Sequence, residues 1–393
     1  MIFGQNASRR AKLKHDQFQV SFRPSTSIDP TIMLAEVLLV LAGHPSAFFV
    51  PHPAPPSRQT SLRTSPSLAE YLHPGEISSL NALGNLAFAY TAIRTWCREV
   101  ISSTQQGILL ANRKGKGREQ DRPVTGDVYL STLAHGILAV LAEYEQTIVD
   151  LEARVLRMDE GVVQDHKGFV PLSVIVATFS SWTAPLQSLL TLVHEMESAP
   201  GGIEPGRLLD ILSRRTDTGH PDLARMYAKL LAAVQKLWTR HLTTFVLYGQ
   251  AFTSSSKLAP AVALDVGPDP LSPRHRVYEL NEGMLPPTLG ARTRESLLYV
   301  GRVVATLKRE GRGLPGSVLE TLQEAFGHLV RGDAADCGED DGAEGDGRGA
   351  GSWYRFGLEG LDEAVALARK EVGEWLWRYV LTGSQIIDAL DTL

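Results

Sequence analysis

Four long stretches carry apolar residues alternately three and four positions apart, and this repeat limits the fold more than any other feature. The first runs through Leu83, Leu86, Tyr90, Ile93, Cys97 and Val100, and the second through Leu133, Ile137, Val140, Tyr144, Ile148, Leu151 and Val155. The third holds Leu172, Ile175, Phe179, Trp182, Leu186, Leu189, Val193 and Met196, and the fourth Leu223, Tyr227, Leu230, Val234, Leu237, His241 and Phe245. A spacing that averages the helical turn places each set on one side of a helix, to be buried against neighbouring helices. Pro185, inside the third, is expected to bend that helix or to remove one hydrogen bond. Long helices joined by shorter connections predict an all-α fold of stacked antiparallel helical bundles with no significant β-sheet.

Shorter elements flank these seams. Asp29 before Pro30 is a helix start, with Met33, Leu34, Val37, Leu38 and Leu41 on one face, and Gly43 and Pro45 stop it. Val50 to Pro66 is rich in Pro, Ser and Thr, and is expected to be a surface loop. Pro286 and Pro287 remove two backbone donors, so the segment before the helix through Leu297, Val300, Val304 and Leu307 is expected to lie extended across other elements. Ser317 and Glu320 have the spacing of a capping box. A last stripe runs from Leu361 through Val365, Ala368, Val372, Trp375, Tyr379, Thr382 and Ile386 to Leu390. Alternations such as Val277 to Leu280 are too short to predict a strand pair. The expected layout is a disordered extension over 1–32, a helical bundle over 33–250, a linker over 251–276, and a second bundle over 277–393 interrupted by a disordered acidic, Gly-rich insertion at 332–352.

Composition enters where it excludes function classes. The net charge is −5, but the run from Gly332 to Ser352 alone carries seven acidic residues and one Arg, which leaves the remainder near +1. No global field then draws in nucleic acid or an anionic membrane. The two cysteines, Cys97 and Cys337, are 240 positions apart and build neither a disulfide framework nor a zinc site. The longest apolar stretch, Met33 to Ala42, is too short to span a bilayer.

The patterns that carry chemistry are missing or incomplete. His194-Glu195 is followed by Met196, Glu197 and Ser198, so the H-E-x-x-H zinc helix is not formed. There is neither a phosphate-cradling glycine loop ending in Lys nor a G-x-S-x-G nucleophile elbow. The basic loop from Arg113 to Arg118 has no interleaved aromatic and is expected to be solvated. No catalytic residue, metal ligand or cofactor is expected. Trp182, Trp238, Trp375 and Tyr379 lie on helical stripes and are expected in the core. Phe48, Phe49 and Val50 follow a helix stop, and either fold back or offer an apolar patch to another protein. They are the candidate partner contacts.

Five segments, taken in order, resemble the gamma-tubulin complex components. MLAEVLLVLAGHPSAFF (33–49) is similar to that family's MIxELLLALSGYPGxIF, and YLHPGEISSLNALGNL, with Tyr71, His73 and Pro74, to its FLHPSExxxLNRL. VYLSTLAHGILAVLAEYEQTIVDLEARVL is similar to IYLRAFxxGLxxVLxxYRxALLDLEQEFL. YELNEGMLPPTLGARTRESLLYVGRVV, with Leu285, Pro286 and Pro287, resembles a segment in which an LP motif leads into a helix, and VGEWLWRYVL, with Trp375, completes the series. The pattern looks most like the fourth component. The resemblance implies the first GRIP domain: an all-helical, non-catalytic scaffold that lines up beside other components of the complex that templates microtubules. It further implies a place in the cytoplasm at microtubule-organising centres or spindle poles, and contact with gamma-tubulin only indirectly, through the complex. No nucleic acid or membrane partner is implied. The family's second GRIP domain, which binds gamma-tubulin, is expected to be absent, and 1–32 to be an extension. A stand-alone helical adaptor or tethering protein is the alternative.

Overall fold

A computed structural model describes residues 30–53, 60–113, 128–159, 161–163, 170–199, 202–249, 252–253, 261–266, 275–309, 313–331 and 358–383. The chain is mostly helical, as the seams predict. Among the described residues the α-helices are α1 (Pro30–Leu41), α2 (Pro66–Ala69), α3 (Pro74–Arg113), α4 (Val128–Leu156), α5 (Leu172–Ser198), α6 (Pro205–Thr216), α7 (Pro221–Tyr248), α8 (Ala291–Arg309), α9 (Gly316–Arg331) and α10 (Leu358–Gly383). Residues 1–29 of the extension expected over 1–32 and the acidic insertion at 332–352 lie outside the described residues, as do Ile386, Leu390 and most of the basic loop after Arg113, while α1 already begins at Pro30.

The chain divides into two compact units, one of residues 1–96 with 141–191, the other of 97–140 with 192–393. In the first, Tyr144 of α4 is fully buried and central. Its ring lies 5.0 Å from Tyr90 of α3, 5.8 Å from Phe179 and 5.5 Å from Trp182 of α5. Its hydroxyl donates to the Leu41 carbonyl at 3.1 Å, satisfying one of the end groups of α1. The α1 stop is formed as expected: Gly43 takes φ +83 and the His44 N–H returns to the Leu39 carbonyl.

Strand pairs are the main correction to the sequence reading. Residues expected as a loop form an antiparallel hairpin, β1 (Phe49–Pro53) and β2 (Thr60–Thr64), in register from Phe49 opposite Thr64 to Pro53 opposite Thr60. In a two-stranded ribbon every strand is an edge, so Pro51 and Pro53 are tolerated where a central strand would exclude them. A three-stranded sheet joins β3 (Phe252–Thr253), β4 (Ala261–Val266) and β5 (His275–Leu280), with β3 parallel and β5 antiparallel to β4. Two of these strands lie in the stretch expected to be a linker.

In the second unit α7 is the packing centre. Its buried residues include Tyr227, Leu230, Val234, Trp238 and Phe245 of the predicted seam region, and also Met226, Leu231, Leu242 and Val246. It is therefore covered on more than one side, by α6, α8 and α9. On α8 the predicted stripe of Leu297, Val300, Val304 and Leu307 is buried, while Arg292, Glu295, Arg302 and Lys308 are exposed. Val318, Leu322 and Phe326 of α9 are inward. That helix begins at Gly316, so Ser317 sits inside the first turn and does not form the expected capping box. Pro185 is accommodated within a continuous α5.

Candidate functional site

Phe48 and Phe49 are buried, whereas Val50 is 42% exposed. The hairpin they lead into rests on the N-terminal half of α3. Asn81 accepts from the Thr64 backbone at 2.9 Å and from its hydroxyl at 3.1 Å, and a Cβ on Gly84 would meet the Leu62 carbonyl at 2.7 Å. The alternation of β1 sends Phe49 inward against Gly84 and Val50 outward. Neither Asn81 nor Gly84 stood out in the sequence, since an Asn and a Gly inside a helical pattern carry no periodic signal.

Tyr71 is 65% exposed just before α3. The start of α3 is a capping box built on histidine: the His73 N–H donates to Glu76 Oε2 at 3.0 Å, and the Gly75 N–H donates to His73 Nδ1 at 3.2 Å, with Pro74 at the first helical position. His73 therefore acts on the helix end. On α3, Tyr90 donates to Glu145 of α4, and Arg94 lies 3.7 Å from the same carboxylate and over the Tyr90 ring.

Leu285 is extended, at φ −99, ψ 133, but the segment expected to lie extended turns on both sides of it: a 3-10 turn spans Glu282–Met284, and the Leu289 N–H closes a turn onto the Pro286 carbonyl at 3.1 Å. Leu285 and Pro286 are buried and Pro287 is exposed. Trp238 Nε1 donates to the Met284 carbonyl at 2.7 Å, and Arg294 Nη2 to the Pro286 and Pro287 carbonyls at 3.0 and 3.3 Å. Gly206 of α6 faces Leu285 so closely that a Cβ there would stand 2.2 Å from its carbonyl oxygen. The two prolines lack N–H groups; their carbonyls accept from Arg294 and, at Pro286, also from the Leu289 N–H.

The aromatic stripes split. Trp238 is buried as expected, and Trp182 is half-buried with Nε1 donating to Thr147 at 3.2 Å. Trp375 and Tyr379, expected in the core, are half-buried and 39% exposed, and stack on each other at 5.5 Å. Leu361, Val365, Ala368 and Val372 of the same stripe are buried. Periodicity decides which residues share a face of α10; how far along the helix that face is covered depends on the neighbours.

The ionisable groups point to structure. Burial pushes the Cys97 thiol up to about 12, which removes it as a nucleophile at neutral pH. Burial, followed by the neighbouring Tyr90, also raises the Tyr144 hydroxyl above the ordinary tyrosine range. The Arg154 side chain, with the Gly161 N–H, holds Asp159 below the usual carboxylate range. Among the described residues no group of three or more His, Cys, Asp or Glu is placed to hold a metal ion, and no helix is long and apolar enough to cross a membrane. The large apolar side chains left exposed among the described residues include Val50 and Tyr71, Val149 and Leu156 of α4, and Trp377 and Tyr379 of α10.

The family model described as the gamma tubulin complex component N-terminal region matches residues 34–381. The chain belongs to this family. It is similar to gamma-tubulin complex component 4 of Mus musculus, 20% identical over 397 residues, and to that of Homo sapiens, 20% identical over 399; each alignment covers 91% of this chain and 53% of the relative. The component 4 homolog of Medicago truncatula is 22% identical over 306 residues, covering 70% of this chain and 39% of its own length. The chain spans about half the length of the curated relatives it matches.

Proposed function

We propose that the chain is a non-catalytic scaffold in a gamma-tubulin complex, associating laterally with other complex components in microtubule nucleation at microtubule-organising centres or spindle poles. The observation that carries this is the family match over 34–381, which covers every described helix core from α1 to α10. The structure supports it in kind: the seams are spent on internal packing, and the ionisable groups that are perturbed serve helix and core contacts. Val50, on the rim of the β1–β2 hairpin, is the surface member of the Phe48–Val50 trio and the one available to a partner. Gamma-tubulin is reached through the complex, not by these residues directly.

Affinity purification of the tagged chain from cells tests the proposal. Identified gamma-tubulin complex components are expected in the eluate, and purified gamma-tubulin alone is expected not to bind the 393-residue chain. Recovery of none of those components would favour a stand-alone adaptor, and direct binding of gamma-tubulin would overturn the indirect contact.

A further inference from the structure

Helix α4 carries two stripes. The inner one, with Leu141, Tyr144, Ile148 and Leu151, is buried. The outer one runs through Ala142, Gln146, Val149, Ala153 and Leu156, spaced alternately four and three apart, which again puts all five on one helical face. On it, Val149 is 53% and Leu156 77% exposed, while Ala142 and Ala153 are small enough to let another helix axis approach. Acidic residues edge the stripe, Glu143 and Asp150 on one side, Glu145 and Glu152 on the other. Glu145 is engaged by Tyr90 and Arg94, and Asp150 accepts from Gln146 at 2.8 Å. Arg157 follows at the C-terminal end, and Arg154 is held by Asp159 at 2.8 Å. Two residues beyond Leu156, Met158 takes φ +56 at the stop of α4 and is 50% exposed.

We propose that this outer face of α4 is the docking surface for one amphipathic helix of another gamma-tubulin complex component, a helix with apolar residues at three- and four-residue spacing and Lys or Arg along its edges. This rests on the scaffold function proposed above and names where, and by what chemistry, the partner attaches. An apolar seam with acidic edges is complementary to a seam with basic edges, as in paired helices whose edge charges select the partner. The same acidic edges disfavour an anionic lipid surface, which attracts basic segments.

The test uses the full chain in the same purification, with components identified by mass spectrometry. The double variants V149E/L156E and D150K/E152K are each expected to lower recovery of the components at least fivefold, with helicity and melting temperature unchanged. Recovery equal to wild type in both overturns the proposal. Should the glutamate pair lose helicity, V149S/L156S takes its place under the same criterion. A wild-type chain that recovers no component overturns the scaffold function and this surface together. Sedimentation of the purified chain is expected to show a monomer, and a dimer that these variants dissolve would assign the face to a second copy and overturn the assignment to a different component.

Discussion

At the residue scale, the clearest anomaly is Met158. The Asp159 N–H returns to the Arg154 carbonyl and the Met158 N–H to that of Val155, the pattern of a helix stop whose left-handed position is normally glycine. Where α1 ends the same way it uses Gly43; α4 uses Met158 at φ +56. Met158→Gly should therefore raise stability by about 0.5–1 kcal/mol, read as a higher urea midpoint, because the steric cost of the left-handed backbone exceeds the added freedom of the unfolded chain. A second residue carries a pH signature. His241 lies with Nδ1 2.6 Å from the hydroxyl of fully buried Tyr129, and burial, with Arg240 adding to it, holds the imidazole below its ordinary value of 6.5. The folded state then binds fewer protons than the unfolded one, so this contribution is fully present above about 6.5 and is lost as pH falls toward the lower folded value. The fall in melting temperature between about pH 7.5 and about pH 5.5 should be smaller in His241→Gln than in wild type.

At the element scale, the proline segment before α8 shows how a short motif is held. Pro286 and Pro287 keep the chain out of a helix, but they do not say where it lies; Trp238 from α7 and Arg294 from α8 do, through three carbonyls. Trp238→Phe keeps most of the ring volume and leaves the buried Met284 carbonyl without its donor, at a cost of about 1–3 kcal/mol measured by denaturant unfolding. A change within a few tenths of a kcal/mol, on the order of a surface substitution, would show that the segment is held by packing alone. The hairpin makes the complementary point. Its prolines read as loop because a strand interior excludes them, and the exception, a two-stranded ribbon docked on Asn81 and Gly84, depends on what lies alongside.

At the scale of the molecule, α3, α4 and α5 each contribute residues to both compact units, and α6 to α10 belong to the second. A fragment ending at residue 250 tests the boundary expected at 251–276. It removes the groups that cover α7, including Met284 over Trp238 and Gly301 against the Phe245 ring. Such a fragment should bind a hydrophobic dye that the full chain does not, and equal dye binding would show that α7 needs no cover from α8. The helices, most of their inner faces and the break from helix at Pro286 and Pro287 were legible in the sequence, because turn period and proline stereochemistry act over a few residues and need no partner; the turns on either side of Leu285 were not. The family was legible as well. Tertiary structure alone decided that Phe48 and Phe49 turn inward while Val50 does not, that α7 is covered on several sides, that the α10 stripe loses its cover before Tyr379, and that β1 pairs with β2. Each of these depends on which distant element comes to lie alongside, and local period and propensity carry no record of that.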